Sequence, residues 1–184
     1  MSLDASPQLQ QLIDKDAIRD LVLLYSRAID RQDLDLLRDL YTEGATDTHG
    51  DSYDGPAEGY CQFIARALPH MPYSGHHICN HLVSVEGDEG NGEVYALAWH
   101  LIPDGAGGQL EDFMAVRYID NYRREGDSRW RFSKRVVTYD LKIRRPFTGG
   151  GTLGQGADDP SYGMCVQRLF QRGPRALAPL VPSA

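Results

Sequence analysis

The sequence predicts one α+β domain, in which three N-terminal helices cover one face of a curved and mostly antiparallel sheet. Two observations lead to this prediction. Apolar residues recur at helical spacing in the N-terminal part of the chain, and alternation with a period of two follows it. Turn-rich stretches of Gly and Asp separate the alternating segments, as expected of hairpin loops. The predicted strands span residues 76–86, 92–102, 110–124 and 129–143.

The helical region divides into three helices at residues that favour helix boundaries. An apolar stripe predicts the first helix over about residues 9 to 30. Asp33 is the expected N-cap of a second helix, which we expect Gly44 to end. The polar residues 45–54 are expected to turn as a hairpin before Pro56 opens the third helix.

Alternation within the predicted strands assigns side chains to faces. In 92–102, His100 shares one side with small residues, so we expect that side to line a cavity. The opposite side of the same strand is bulky and is expected to pack against another subunit. In 129–143, strict alternation places Arg135 on the face opposite Phe132.

Composition and charge argue against several classes of protein. The 184 residues suit a single domain with its own core, and the net charge of −7 disfavours nonspecific nucleic-acid binding, which needs a basic surface. The three cysteines are far apart in the sequence, which argues against a disulfide framework or a thiolate zinc site. The six histidines lack the spacing of a metalloprotease motif, and we expect neither a metal nor an organic cofactor.

The sequence also lacks targeting and membrane signals. Its first residues have neither the basic nor the apolar segment of a signal peptide. No apolar run reaches the length that spans a membrane. We therefore expect a cytoplasmic protein with no membrane partner.

The composition changes after Phe147, which predicts a compact domain over residues 1–147 and a Gly- and Pro-rich tail over 148–184. One interpretation is a flexible C-terminal tail. The other is a flap that covers a pocket, or an arm that crosses to a neighbouring subunit. This second interpretation depends on apolar side chains that need burial, namely Tyr162, Met164, Leu169 and Phe170.

A phenol, a carboxylate and an imidazole form the candidate site, at Tyr25, Asp30 and His76. Such groups can move a proton without a metal or an organic cofactor. On a straight helix Asp30 falls away from the apolar stripe, so it turns inward only if the backbone bends just past Ile29. The alternatives are a helix-end carboxylate in water and a strand-end histidine that bonds to nearby backbone.

Several segments share their residues and their order with one known family. They are Ala17–Leu21, Tyr25–Asp33, Leu40–Ala45, His76–His81, Trp130–Arg135 and Asp158–Tyr162. In these segments the chain resembles the SnoaL-like domain of the nuclear-transport-factor-2-like superfamily. Within it, the chain is most similar to scytalone dehydratase, hexachlorocyclohexane dehydrochlorinase and bile-acid 7α-dehydratase.

The resemblance implies a cone-shaped α+β barrel and a set of site residues. The catalytic Asp and His of these enzymes fall on Asp30 and His76, and a polar position five residues before the Asp falls on Tyr25. An active-site arginine of the dehydrochlorinase falls on Arg135. His100 lies near the second catalytic histidine of scytalone dehydratase.

The function that these residues and the resemblance imply is a cofactor-independent lyase of the dehydratase type, or an isomerase. The expected substrate is a hydrophobic polycyclic, steroid-like or polyketide molecule, and the expected assembly is a homotrimer or homodimer. Two alternatives remain open on the same fold. One is a non-catalytic protein that binds a hydrophobic small molecule, and the other is a structural subunit like the small subunit of ring-hydroxylating dioxygenases.

Overall fold

The structure is a computed structural model that describes residues 6–151 and 156–174, and it confirms the α+β class. Three helices precede the long strands, as the sequence predicts. A short 3-10 turn follows the third helix at Leu68–His70. The helices are α1 at Pro7–Asp30, α2 at Leu34–Asp39 and α3 at Ala57–Ala67.

Within the described residues, six strands form one curved sheet in the order β2-β1-β6-β5-β4-β3. Neighbouring strands are antiparallel except β1 and β6, which are parallel. The strands are β1 at Tyr41–His49, β2 at Tyr53–Pro56, β3 at Tyr73–Glu86, β4 at Glu89–Pro103, β5 at Gln109–Arg124 and β6 at Trp130–Pro146.

The second helix ends earlier than the sequence predicts. We expected this helix to continue to Gly44, but it ends at Asp39 and a strand begins at Tyr41. Tyr41 and the threonines at positions 42, 46 and 48 favour strands over helices. Pairing with β6 on one side and β2 on the other then stabilises β1.

Two bulges in β6 overturn the faces that strict alternation predicts. Ser133 and Asp140 are extra residues with no partner in the register between β5 and β6. Successive side chains of a strand point to opposite faces, so each extra residue shifts the alternation by one. As a result, Phe132 and Arg135 are both buried on the inner face, although we expected them on opposite faces.

The C-terminus of α1 turns sharply, and this turn orients Asp30. The Asp33 amide donates to the carbonyl of Ala28, the Gln32 amide donates to the carbonyl of Ile29, and Gln32 has a φ of 53°. This is the Schellman arrangement that ends helices. The bend therefore lies at Arg31–Gln32, slightly later than we expected, and the Asp30 side chain is largely buried.

Residues 156–174 pack against the same turn. Asp159 forms an ion pair with Arg31 at 2.9 Å, and the Gly173 amide donates to the Asp33 carboxylate at 2.9 Å. The Arg27 guanidinium lies 4.8 Å from the ring centre of Tyr162. The C-terminal segment thus fixes the connection between α1 and α2. The rest of the predicted tail beyond residue 151, residues 152–155 and 175–184, lies outside the described residues.

The helices cover the inner face of the sheet, and their contact forms the core. Its members include Ile18, Val22, Leu36, Val94 and Phe132, all fully buried. In the part of the chain that the structure describes, no helix has both the length and the apolar character to cross a membrane.

The Asp33 carboxylate joins α2 to the C-terminal segment, which leads to a prediction about stability. Its carboxylate caps α2 at the Leu36 amide and also anchors Gly173. We expect Asp33→Ala to lower the free energy of unfolding by about 1–2 kcal/mol, the usual cost of a lost N-cap. Urea unfolding measures this change. Asp16→Ala, which removes an exposed carboxylate on α1, should leave the urea midpoint near wild type, and equal effects of the two changes would contradict the assignment.

Candidate active site

A cavity of about 260 Å³ lies between the helices and the inner face of the sheet. Its wall is mainly apolar, with a few convergent polar groups, which is the usual composition of a ligand site. The small side of β4 lines it, as we expected, and none of residues 156–174 does. Its polar side chains include Tyr25, His49, Tyr60, His76 and His100.

The structure brings Asp30 and His76 together. Nδ1 of His76 lies 2.6 Å from Oδ1 of Asp30, and the backbone amide of His76 donates to Oδ2 at 2.9 Å. The Ser74 hydroxyl donates to the same carboxylate at 3.0 Å. With Nδ1 bonded to the carboxylate, Nε2 is the ring nitrogen available to the cavity, and a neutral ring carries its lone pair there.

His100 is the second histidine of this group. Its ring meets the His76 ring edge to face, with ring centres 5.2 Å apart. Burial, together with the neighbouring His76, lowers the pKa of His100 to about 3. Nε2 of His100 is buried and has no hydrogen-bond partner in the described structure. His100 is therefore a neutral ring that adjoins His76.

Tyr25 is buried on α1, and its hydroxyl belongs to a cluster that the sequence analysis did not identify. It lies 2.7 Å from the hydroxyl of Tyr60 on α3 and 3.2 Å from Nε2 of His49 on β1. The Tyr60 hydroxyl is 3.1 Å from the same nitrogen. Burial raises the pKa of both tyrosines well above the usual range, so both keep their protons at neutral pH.

His49 forms a second imidazole–carboxylate pair, because its Nδ1 bonds to Asp47. Asp47 is fully buried and also accepts a hydrogen bond from Tyr41 at 2.6 Å. The sequence carried a signal for this pair, since residues two apart on a strand share a face. We missed it because we expected residues 45–54 to form a polar hairpin and assigned no function to its side chains.

Arg135 does not reach the cavity wall. Its side chain has no solvent exposure, and it forms two hydrogen bonds of 2.8 Å with Asp120. The guanidinium stacks against the rings of Tyr25 and Phe132, at 4.0 and 4.1 Å from their centres. Arg135 thus supports the ring of Tyr25 from behind, and it is separated from any cavity ligand by that ring.

The described residues offer no obvious metal site. Within residues 6–151 and 156–174, no three side chains of His, Cys, Asp or Glu are grouped so that they could hold a metal ion. Three further charged side chains, Asp112, Lys142 and Arg144, line the cavity. Lys142 and Arg144 both form ion pairs with Asp112.

The family follows from a comparison with protein-family models. The model of the SnoaL-like domain matches residues 10–136, which is more than half of the chain. The chain belongs to the SnoaL-like family. This agrees with the resemblance found in the sequence segments. No curated protein matches the chain.

Solved structures share the fold of this SnoaL-like protein. A candidate scytalone dehydratase from Novosphingobium aromaticivorans is 17% identical, with a TM-score of 0.65 over 78% of this chain and 95% of that chain. LinA is 24% identical, with a TM-score of 0.64 over 76% and 92%. The Kfla4162 protein from Kribbella flavida is 20% identical, with a TM-score of 0.64 over 72% and 94%. At these identities the likeness shows the cone-shaped fold alone.

The buried pair of Arg135 and Asp120 leads to a prediction about stability. Asp120→Ala leaves a buried cation without its partner, so we expect the free energy of unfolding to fall by about 3–5 kcal/mol. The matched control is Asp140→Ala, which breaks the surface pair with Arg117 and should leave the urea midpoint near wild type. A midpoint for Asp120→Ala that equals that of the control would contradict this account.

Proposed function

We propose that this protein is a cofactor-independent lyase of the dehydratase type that acts on a hydrophobic cyclic ketone with a β-hydroxyl group. One observation carries the proposal. The Asp30 carboxylate holds Nδ1 of His76 at 2.6 Å and leaves Nε2 available to an apolar cavity. A histidine fixed in this tautomer is suited to act as a general base. The family and its dehydratase-type neighbours support the same class of reaction.

The first step of the proposed reaction is removal of a proton from carbon. Nε2 of His76 takes a proton from the carbon next to the substrate carbonyl. The electron pair of that C–H bond moves into a carbon–carbon double bond, and the carbonyl oxygen becomes an enolate oxygen. Asp30 stabilises the imidazolium that results, because its charge is opposite and its hydrogen bond to Nδ1 is retained.

The second step is loss of the hydroxyl group. The enolate re-forms the carbonyl, a new double bond forms between the α and β carbons, and the C–O bond at the β carbon breaks. The proton on Nε2 of His76 goes to the departing hydroxyl, which leaves as water. One histidine therefore acts first as base and then as acid, and the atoms balance without a cofactor.

The other predicted site residues have supporting roles in this proposal. The neutral ring of His100 adjoins His76 and limits the orientations that its imidazole can adopt. Tyr25 contributes a hydroxyl at the cavity wall, where it would meet an oxygen of the substrate. Arg135 acts through Tyr25, because its guanidinium lies against the far side of that ring.

The size and polarity of the cavity favour a compact substrate. Its volume of about 260 Å³ lies just below the range of about 300–1,000 Å³ that is usual for drug-sized ligands. A bicyclic or tricyclic polyketide-like ketone suits such a volume better than an elongated steroid. The apolar side chains around it, such as Phe63, Ile64 and Met114, would contact the rings of the substrate.

An assembly of identical subunits fits the outer face of the sheet. Tyr95, Leu97 and Trp99 alternate along β4 and remain partly exposed on the outer face. Large apolar side chains that remain exposed on one surface often mark a protein interface. A homotrimer or homodimer that buries this face accounts for them.

The structural subunit and the non-catalytic binding protein differ from the lyase in what they require of the cavity. A structural subunit needs a filled interior, whereas an open cavity with a held imidazole supports ligand binding. A purely binding protein has no need for the carboxylate that fixes His76. An isomerase uses the same first step and differs in returning the proton to another carbon.

Proton removal by His76 can be measured before the natural substrate is known. The test follows exchange of the α hydrogen of bicyclic and tricyclic β-hydroxyketones in D₂O by NMR, together with formation of the enone by absorbance. We expect His76→Gln to lower both rates by about 10²–10⁴, the usual worth of a general base. Asp30→Asn should lower them in the same direction.

His77→Gln is the matched control, because His77 is the next residue on β3 and lies exposed. It should keep wild-type exchange. Circular dichroism and urea unfolding of each variant separate a chemical effect from a loss of structure. Wild-type exchange by a folded His76→Gln protein would exclude His76 as the base.

A further inference from the structure

His49, which lines the cavity, forms a second imidazole–carboxylate pair with the buried Asp47. We propose that His49 controls whether Tyr25 and Tyr60 can donate a hydrogen bond into the cavity, so that the protonated ring turns the two tyrosines into an oxyanion-binding group. This inference rests on the proposed function, because it assigns that group to the enolate oxygen of the lyase reaction. It also makes a prediction about anion binding that needs no turnover.

The orientation of His49 follows from its buried neighbours. Asp47 has no solvent exposure, and one of its oxygens accepts from Tyr41. Its other oxygen bonds to Nδ1 of His49, which therefore carries a proton. Nε2 is left to face the two hydroxyls, which lie 3.2 and 3.1 Å away on Tyr25 and Tyr60. The His49 ring also stacks on the Tyr60 ring, with centres 4.3 Å apart.

With a neutral His49, the cluster uses all the protons that it has. The two tyrosines supply two O–H donors, and Nε2 supplies one acceptor. One O–H donates to the other hydroxyl at 2.7 Å, and the second O–H donates to Nε2. No tyrosyl proton is then left for a ligand. A cavity oxygen with negative charge would meet only acceptor lone pairs.

When His49 is protonated, the cluster has one more hydrogen-bond donor. Nε2 now donates to a tyrosyl oxygen, and one tyrosine still donates to the other. The remaining O–H is free to point into the cavity, where both rings form part of the wall. The imidazolium charge sits directly behind this donor. Hydrogen bonds in which one partner is ionised are about twice as strong as neutral ones, so an oxyanion in the cavity is held firmly.

This arrangement divides the chemistry between two parts of the cavity. His76 takes the proton from carbon, and the charge that appears on the carbonyl oxygen is met by the tyrosyl O–H. That proton stays on the tyrosine, and the imidazolium of His49 keeps its own. His49 is thus a positioning residue, which acts through Tyr25 and Tyr60. The substrate class is restricted to compounds whose carbonyl becomes an enolate.

Other ionisable groups surround His49 and enter the test. Asp47 lies on its own strand, Tyr25 faces it from α1 and Tyr60 from α3. From β6, Tyr139 shares the cavity wall with His49, and Arg135 lies behind the Tyr25 ring. Burial raises the pKa of both Tyr25 and Tyr60 well above the usual range. The tyrosines therefore do not titrate where histidines do.

The probe is 2,4-dinitrophenolate, an aromatic oxyanion that stays largely ionised from about pH 5 to about pH 8, the range in which histidines titrate. Its dissociation constant is measured by calorimetry or absorbance with the intact protein. The protonated cluster binds the anion and the neutral cluster withholds its donor. Affinity should therefore be highest at low pH and fall as pH rises, by up to about tenfold per pH unit for one linked proton.

Two variants separate the two histidines of the cavity. His49→Gln should show a much weaker pH dependence of affinity than wild type, because no imidazole is left to gain a proton in the cluster. His76→Gln should keep at least a tenfold difference in affinity between the two ends of the range, although it loses turnover. If His49→Gln keeps the wild-type pH dependence, the proposal is wrong.

Two further variants test the tyrosyl donors. The double change Tyr25→Phe and Tyr60→Phe keeps both rings and removes both hydroxyls, and we expect at least a tenfold loss of affinity at low pH. Tyr53→Phe is the matched control, because Tyr53 packs near Tyr60 but donates to the Pro56 carbonyl. Failure of the wild-type protein to bind the phenolate would overturn the inference. Phenolate binding without any ketone turnover would keep it and reject the lyase.

Discussion

The hydrogen bond between Asp30 and His76 is the contact on which the proposed chemistry depends. It joins the end of α1 to the start of β3, and it fixes which nitrogen of the ring meets the cavity. A carboxylate at a helix end normally points to water. Here the turn at Gln32 closes the helix just after Asp30, and residues 156–174 pack against that turn. The C-terminal segment is therefore part of what positions the site.

Both histidines of the two imidazole–carboxylate pairs, and the tyrosines Tyr25 and Tyr60, line the same cavity. Each imidazole is bonded through Nδ1 to a carboxylate, which leaves Nε2 free for other partners. The buried phenols of Tyr25 and Tyr60 adjoin Nε2 of His49 and keep their protons. Arg135 and its partner Asp120 lie behind the Tyr25 ring and give it a fixed cationic neighbour. Arg135 and Asp120 do not line the cavity, but they support the ring of Tyr25, which does.

Much of the fold and part of the site could be predicted from the sequence. Helical periodicity located α1 and α3, and alternation located the four long strands, because these patterns are local. The family segments pointed to Asp30 and His76. The expected hairpin at residues 45–54 is confirmed, because β1 and β2 pair around a turn at Gly50. The start of β1 was instead assigned to the second helix, and its pairing with β6 joins segments that are distant in the sequence.

The bulges in β6 explain most of the remaining differences. Ser133 reverses the faces of the residues that follow it, and Asp140 restores the original alternation, so the residues between the two bulges lie on the face opposite to the predicted one. No local sequence pattern indicates an extra residue. Arg135 therefore lies beneath the cavity, among aromatic rings. His49 was overlooked for another reason, because we assigned no function to the side chains of the expected hairpin, which include its partner Asp47.

Whether Asp30 fixes the tautomer of His76 can be measured by ¹⁵N NMR of the histidine rings. At a pH where the ring is neutral, we expect His76 to carry its proton on Nδ1, and we expect Asp30→Asn to weaken this preference. A His76 ring that carries its proton on Nε2, whether or not Asp30 is present, would show that the carboxylate does not set the tautomer.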